Sequence, residues 1–247
     1  MRNIKLVLEY NGTGFFGFQK QPGRSTIQEV LEKALSGFFD CRMKIAAASG
    51  RTDTGVHAEG QVVNFKTSSP RGLKQIQKGL NALLPPSVVV KEIEEVRADF
   101  HARYSVRSKV YEYRIWNRPC RSPLVAGRVL HIPYPLDLAE MRRAAKFFMG
   151  KHDFCSFTSV ASMKKGTSCI RTIKGFQIKR QGHLILIRVE ADGFLYHMIR
   201  NMVGTLLEVG NGKRKAGDIE AILKARDRRL AGMTAPSEGL TLIRVTY

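Results

Sequence analysis

Acidic residues are scarce in this sequence of 247 residues, which has 21 Asp and Glu against 41 Lys and Arg. Even if every carboxylate were paired with a basic side chain, a net charge of +20 would remain. The basic residues are spread along the whole chain and are not gathered in a tail, so they predict a folded surface that faces a polyanion. Nucleic acid and an anionic membrane are the two candidates for that partner.

Long hydrophobic runs are also missing. The sequence has no apolar run of 18 residues, no signal-peptide core after Met1 and no lipidation motif, so we expect no membrane anchor and favour nucleic acid. Because 43% of the residues are hydrophobic, the chain can bury a substantial core, either as one large domain or as two closely packed halves.

Cysteine is sparse and widely spaced, without a Cys-x-x-Cys pair. The four cysteines are Cys41, Cys120, Cys155 and Cys169. This spacing predicts free thiols in a reducing cytoplasm, not a zinc site or a disulfide framework. His57, His101 and His197 also have no second ligand at metal-binding spacing, so we expect them to have structural or RNA-contacting roles.

The hydrophobic pattern of the first half predicts the order β-α-β-β-α-β. The predicted strands are 4–10, 43–48, 61–65 and 88–96, and the predicted helices begin at Ser25 or Thr26 and at Leu73. Ser25 and Gln28 have the spacing of a capping box at the start of the first helix. The second helix is expected to stop at Leu84, because Pro85 and Pro86 follow it.

The second half repeats this alternation of strands and helices. Strands are predicted at 109–116, 129–132, 170–179, 184–190 and 240–245, and helices at 136–148, 194–209 and 216–225. We therefore predict an α+β fold of two pseudo-symmetric β-α-β-β-α-β-like halves, residues 1–105 and 106–247, that share a mostly antiparallel sheet with a central RNA-binding cleft. The polar stretch Ser159 to Ser168 is the best candidate for a mobile basic loop.

The segment from Ser49 to Gln61 is the most informative part of the chain. It places Asp53 in a glycine-bounded turn between two predicted strands, where catalytic groups are common. Arg51 lies two residues before Asp53 and is expected to keep its carboxylate ionised, ready to act as a nucleophile or a base. An ordinary solvated turn has no need of that pairing.

Two other motifs indicate different chemistry, of which the first lacks its structural context and the second remains a further alternative. The stretch from Gly12 to Gly17 matches the dinucleotide-binding pattern G-x-G-x-x-G, but Pro22 and Gly23 interrupt the chain where a helix should follow. Asp53-Thr54-Gly55 is also the tripeptide of aspartic proteases. Those enzymes need two such carboxylates, and this chain has one copy, so a protease would have to be a dimer.

The turn resembles a known family signature. Gly50 to Ala58 is similar to the signature of the tRNA pseudouridine synthase A family. Further blocks of that family follow the order expected along the chain, at 10–13, 17–19, 100–103, 111–113, 194–201 and 235–240. The resemblance covers essentially the whole chain, and one departure is Phe18, where the family often has tryptophan.

The resemblance implies isomerisation of uridine to pseudouridine at positions 38 to 40 of the tRNA anticodon arm. It also implies a cofactor-free homodimer. By the same resemblance, Asp53 is the nucleophile and Tyr111 stacks on the uracil, although Tyr111 could also be an ordinary half-buried aromatic of its strand. Arg51 is expected to pair with Asp53 or to fill the space of the extruded nucleotide, and a phosphate contact is the alternative. Arg200 is either a second partner of Asp53 or an ordinary surface charge.

A basic RNA-binding protein with the same fold but no chemistry is the alternative. Charge and aromatic residues alone do not separate it from an enzyme. Asp53 beside Arg51 favours the enzyme, because a binding protein gains nothing from a carboxylate that faces phosphates.

Overall fold

The computed structural model describes residues 1–159 and 168–247. Its compact units are Met1–Arg107 with Thr241–Tyr247, and Ser108–Leu240. The predicted α+β class with mostly antiparallel strands is confirmed. The predicted basic loop lies outside the described residues except for its two end residues. None of the helices in the described ranges is long and apolar enough to cross a membrane.

The first unit has the predicted order of strands and helices. Its elements are β1 (Arg2–Tyr10), α1 (Ile27–Phe39), β2 (Ala47–Ala48), β3 (His57–Thr67), α2 (Leu73–Leu83) and β4 (Val88–Val96), joined by most of β10 (Leu240–Thr246). Strand β1 pairs antiparallel with both β3 and β4, and β10 pairs with β3 in parallel. Strand β4 has the predicted bounds, whereas β2 is shorter than predicted and β3 begins four residues earlier.

The helices of this unit cover one face of its strands. Ile4 of β1 lies opposite Phe65 of β3 in the antiparallel register, and both are fully buried. The ring of Phe65 lies 5.9 Å from that of Phe39 in α1. Gly79 of α2 has no side chain where the ring of Phe38 packs, so the two helices approach closely. Burial of these apolar groups is the main stabilising contribution.

The predicted capping box at the start of α1 is wrong by one residue. The N-cap is Thr26, whose Oγ1 accepts a hydrogen bond from the backbone N–H of Glu29 at 3.3 Å. The side chain of Gln28 instead donates to Glu32 one turn later. Ser25 and Thr26 are equivalent as capping residues by chemistry, and the tertiary position of the helix decides between them.

The second unit is built on four strands, each antiparallel to the next. Its elements are β5 (Ser108–Asn117), β6 (Leu130–Ile132), α3 (Leu138–Lys146), β7 (Gly150–Asp153), β8 (Ile170–Gln181), β9 (Leu184–Ala191), α4 (Met198–Gly210) and α5 (Asp218–Ala225). The strands pair in the order β5-β9-β8-β7, and β6 runs parallel to β5. The predicted hairpin between β8 and β9 is confirmed. Strand β7 was not predicted, because Gly-Lys-His-Asp is short and polar.

Helix α4 begins at Met198, four residues later than predicted. His197 is its N-cap and has a left-handed backbone conformation with φ 59°, which a regular right-handed helix excludes. Its ring stacks on Tyr196 with centroids 3.7 Å apart. The apolar residues before Met198 therefore belong to a turn, although they continue the hydrophobic pattern of the helix.

The prediction of four free thiols is wrong for two of them. Cys155 and Cys169 form a disulfide with a Cα–Cα distance of 5.3 Å, while Cys41 and Cys120 are free and exposed. The reason is strand pairing: β7 and β8 are antiparallel and end their ladder with Asp153 opposite Ile170. Sequence spacing gives no sign of that long-range contact.

Reduction of this disulfide is expected to lower the free energy of unfolding by about 3 kcal/mol, because it releases a closed loop of about 15 residues in the unfolded chain. Urea unfolding with and without reductant measures the difference. A Cys155→Ser, Cys169→Ser double variant is expected to unfold like the reduced wild type, and its unfolding curve should be the same with and without reductant. Identical wild-type curves under both conditions would contradict the expectation.

Candidate active site

Asp53 lies in the connection between β2 and β3, as predicted. Its carbonyl oxygen accepts a hydrogen bond from the N–H of Val56 at 3.1 Å, which closes a four-residue turn. Gly55, the third residue of this turn, has φ 79°, a conformation that glycine adopts at little cost. Asp53 itself is half-buried, so part of the residue remains accessible to a ligand.

A second loop, residues 12–18, holds this turn through its backbone. The N–H of Phe18 donates to the carbonyl of Thr52 at 3.0 Å, and the N–H of Gly55 donates to the carbonyl of Phe15 at 3.3 Å. These two bonds lie on either side of Asp53 in the sequence. They fix its backbone from both directions.

Side chains from β1 add to this support. The hydroxyl of Tyr10 is hydrogen-bonded to Oγ1 of Thr52 at 2.8 Å. Burial raises the pKa of Tyr10 far above its ordinary value, so the hydroxyl stays protonated at neutral pH.

His57 also has a structural role. It is buried, and its Nδ1 accepts the backbone N–H of Gly12 at 3.0 Å. A neutral imidazole that accepts at Nδ1 carries its proton on Nε2. His57 therefore joins the start of β3 to the 12–18 loop.

Two glycines let the loop and the turn approach each other. A Cβ on Gly12 would overlap the carbonyl oxygen of Val56, and a Cβ on Gly17 would lie 2.7 Å from the carbonyl oxygen of Thr52. Gly17 also has φ 80°. Any side chain at these positions would push the backbone of the Asp53 turn.

Arg51 is exposed, and its side chain forms no ion pair or hydrogen bond within the described part of the chain. The structure therefore contains no ion pair between Arg51 and Asp53. The neighbouring peptide of Gly50 is fixed nonetheless, since its carbonyl accepts from Nε2 of Gln61 at 2.9 Å. The backbone next to Arg51 is therefore fixed, and the guanidinium of Arg51 faces solvent.

Tyr111 belongs to β5 in the second unit. It is 7% exposed, and its ring lies nearly perpendicular to that of Phe194, with an interplanar angle of 82° and centroids 5.2 Å apart. Tyr113, two residues on, is fully buried and donates its hydroxyl to the carbonyl of Pro236 at 2.7 Å. Burial raises the pKa of Tyr113 well above its ordinary value. Tyr113 thus has a structural role, and Tyr111 is the one at the margin of the core.

Arg200 lies in the first turn of α4 and is half-buried. Its Nε donates to the carbonyl of Ala235 at 2.7 Å, and the N–H of Ala235 donates back to the carbonyl of Arg200 at 3.1 Å. This reciprocal pair fixes the guanidinium in one orientation.

One group of potential metal ligands occurs within the described residues, formed by Asp153, Cys155 and Cys169. Its two sulfur atoms are joined in the disulfide, and Asp153 is paired with Arg226 at 2.9 Å. Thiolates are the form of cysteine that binds zinc. The group therefore offers no cation site while the disulfide is closed.

The chain is similar to known proteins over its whole length. A family model described as tRNA pseudouridine synthase matches residues 6–105 and 144–247. The proteins named tRNA pseudouridine synthase A from Acetivibrio thermocellus and from Thermoanaerobacter sp. strain X514 are each 44% identical over 247 residues, which is 100% of both chains. The one from Geobacillus kaustophilus is 43% identical over 100% of this chain and 95% of its own.

The chain belongs to the tRNA pseudouridine synthase family. The predicted resemblance is thereby confirmed, and so is membership of a family of isomerases. Asp53, Arg51 and Arg200 fall inside the matched segments of the family model, whereas Tyr111 lies between them and is covered by the full-length relatives. A chain of a solved Cbf5-Nop10-Gar1 complex is only distantly similar, with TM-score 0.43 and 13% identity over 97% of this chain and 49% of that one.

Sequence reasoning missed most of the support around Asp53 in this tRNA pseudouridine synthase. Tyr10, Gly12 and Gly17 were identified as members of a family block and as a false dinucleotide motif, without a role. The structure gives them one: they fix the turn from β1 and from the 12–18 loop. The sequence has two glycine-rich segments, 12–17 and 50–60. Their shared lack of side chains is the signal that could have indicated a close contact between them.

Proposed function

We propose that this protein converts uridine to pseudouridine at positions 38, 39 and 40 in the anticodon stem-loop of tRNA, with Asp53 as the nucleophile. The observation that carries the proposal is the placement of Asp53. It is the carboxylate of the family signature, and it lies on a turn fixed from both sides by the 12–18 loop. Full-length identity of 44% to proteins named tRNA pseudouridine synthase A supports tRNA as the substrate.

The reaction needs a carboxylate and no external reagent. The bond between N1 of uracil and C1′ of ribose breaks, the base rotates, C5 bonds to C1′, and the proton of C5 is replaced by one on N1. Nothing is oxidised or reduced, so a redox cofactor has no part in the balance. Attack of Asp53 on C6 or on C1′, and removal of a ribose proton by Asp53, all require the ionised carboxylate.

Tyr111 is proposed to stack on the uracil of the extruded nucleotide. Phe194 supports this proposal, because its nearly perpendicular contact with Tyr111 restricts the orientation of the tyrosine ring. A ring fixed in advance loses little conformational entropy when the base arrives.

Two arginines complete the proposed substrate site. Arg51 is proposed to occupy the space left by the nucleotide or to contact a phosphate, which agrees with its exposed guanidinium on a rigid base. Arg200 is proposed as a partner of Asp53, and its Nε is held by the carbonyl of Ala235. Arginine suits both roles because it stays charged and binds oxygen acceptors in a fixed geometry.

Binding of tRNA is expected to weaken steeply with salt. A net charge of +20 favours recognition by phosphate contacts and RNA shape, and such contacts release counterions. The slope of log affinity against log salt should be roughly −0.7 to −0.9 per phosphate neutralised. Titration of a fluorescent tRNA transcript between low and moderate salt measures it. A flat response would contradict this part of the proposal.

Transcripts that carry a single uridine at position 38, 39 or 40, with cytidine at the other two, test the positional assignment. Product is expected from each transcript and at the uridine alone. A transcript with cytidine at all three positions is the control, and no product is expected from it. Product from the control, together with none at the three positions, would overturn the assignment and leave the family activity intact.

The protein is further proposed to act as a homodimer in the cytoplasm, where tRNA is available. Sedimentation equilibrium of the 27.8 kDa chain distinguishes a dimer from a monomer. The competing function, RNA binding without chemistry, predicts binding with no product from any tRNA.

A further inference from the structure

Tyr104 is a large aromatic residue that is 78% exposed in the first unit. It lies in the connection between β4 and β5, residues 97–107, which we call the 97–107 segment. One face of its ring stacks on His101, with centroids 4.4 Å apart and an interplanar angle of 25°. The rest of the ring faces solvent. Burial contributes little to holding Tyr104 there, because so much of the side chain remains exposed.

The 97–107 segment is tied firmly to the sheet beneath Tyr104. Asn3 donates from Nδ2 to the carbonyls of Arg97 and Phe100 at 3.0 and 2.9 Å. Ala102 is fully buried, and its N–H and carbonyl bind Oδ1 of Asn64 and the hydroxyl of Tyr247. The segment is therefore a rigid base and not a flexible connection.

His101 is locked as well. Its Nδ1 accepts the backbone N–H groups of Arg103 and Tyr104 at 3.1 and 3.2 Å, and the backbone N–H of His101 donates to Oγ of Ser105 at 3.2 Å. The imidazole cannot rotate without losing two hydrogen bonds. The stacked pair of His101 and Tyr104 thus presents one preformed aromatic face to solvent.

The charge beside this face is positive. The guanidinium of Arg103 lies over the Tyr104 ring, 5.7 Å from its centroid, and the side chain of Tyr104 is still 78% exposed. Arg107 follows at the end of the segment and is exposed. The nearby carboxylate, Asp99, is already paired with Arg97 at 3.0 Å.

We infer that Tyr104 is a stacking platform for one unpaired base of the RNA substrate, with Arg103 binding the adjacent phosphate. A flat π face, a locked supporting ring and a neighbouring cation are the features that bind single-stranded nucleic acid without reading sequence. The inference rests on the proposed function for the identity of the RNA as tRNA. It adds a contact on the 97–107 segment that the Asp53 chemistry does not use.

Equilibrium binding of a fluorescein-labelled, unmodified tRNA transcript tests the platform. All variants carry Asp53→Asn, so that the RNA stays unmodified during the titration. Tyr104→Leu is expected to weaken binding by about 5- to 100-fold, the range for loss of one base–aromatic stack. Tyr104→Phe keeps the ring and is expected to bind within about twofold of its parent, since stacking needs no hydroxyl.

Matched variants separate stacking from general effects. Tyr134 is also exposed, at 43%, and has no stacked ring among the described residues. Tyr134→Leu is therefore expected to leave affinity unchanged within about twofold, the margin also set for Tyr104→Phe. Arg103→Gln is expected to reduce the salt slope by about one phosphate contact. Thermal unfolding of Tyr104→Leu should match the parent, because the residue it removes is largely exposed.

Three results would overturn the platform. Tyr104→Leu could bind as tightly as the parent, or Tyr104→Phe could bind as weakly as Tyr104→Leu, which would assign the effect to the hydroxyl. A change in sedimentation on Tyr104→Leu would assign the face to a second copy of this chain. A fourth result separates the two proposals. If Tyr104→Leu binds more weakly and Tyr104→Phe does not, but the wild type makes no pseudouridine, the platform is supported and the proposed function is contradicted.

Discussion

Asp53→Asn is expected to lower the rate of pseudouridine formation by about 10⁴-fold or more, the scale seen when an enzyme loses its nucleophile. The amide has nearly the shape of the carboxylate, so the turn from Gly50 to Val56 should keep its hydrogen bonds. It lacks the ionised oxygen that attack on the base, attack on the sugar and removal of a ribose proton all require. Release of tritium from C5-labelled uridine in a tRNA transcript measures the rate.

Two controls make this result specific to the chemistry. Asp53→Asn should bind the transcript and unfold as the wild type does. Asp227→Asn removes a half-buried carboxylate that is paired with Arg229 in the second unit, and it is expected to leave the rate unchanged. A rate for Asp53→Asn within tenfold of wild type would contradict the role of Asp53.

Gly17→Ala is expected to lower kcat by about 100-fold, because a displacement of about 1 Å at a catalytic group costs this much. The added Cβ would lie 2.7 Å from the carbonyl oxygen of Thr52 and 3.2 Å from the carbonyl carbon of Asp53. Neither is the end of a flexible side chain, so the backbone of the turn has to move. Single-turnover rates at saturating enzyme measure the effect on the chemical step.

Gly14→Ala is the matched control in the same loop. Gly14 has φ 83° and Gly17 has φ 80°, so both substitutions introduce similar backbone strain, of about 1 kcal/mol or somewhat more. A Cβ at Gly14 meets nothing within 4 Å. We expect Gly14→Ala to lose stability without loss of kcat. Equal rates for the two variants would show that the 12–18 loop does not position Asp53.

The sequence predicted those elements of the fold that local signals define. Strand β4 has the predicted bounds, because a run of β-branched residues begins at Val88, two residues after Pro86. The start of α4 was missed because the apolar pattern runs through Phe194 and Leu195 without a break, while the left-handed backbone of His197 prevents helix there. Hydrophobic periodicity reports burial, and a buried turn has the same pattern as a buried helix.

In the candidate site, too, the sequence predicted the part that local signals define and missed the part that depends on distant residues. The Asp53 turn was predicted because its glycines and its arginine are neighbours in sequence. Its support by Tyr10, Gly12 and Phe18 comes from residues more than thirty positions earlier. The disulfide between Cys155 and Cys169 was missed for the same reason, since it depends on the pairing of β7 with β8.

Mapping of pseudouridine in an unmodified tRNA transcript tests the central claim most directly. Wild-type and Asp53→Ala protein are incubated with a transcript that has uridines in its anticodon arm, and carbodiimide labelling with primer extension locates the product. We expect product in the anticodon arm with wild type and none with Asp53→Ala, while both proteins bind the transcript. Binding without product from the wild type, across several tRNAs, would contradict catalysis and favour an RNA-binding protein.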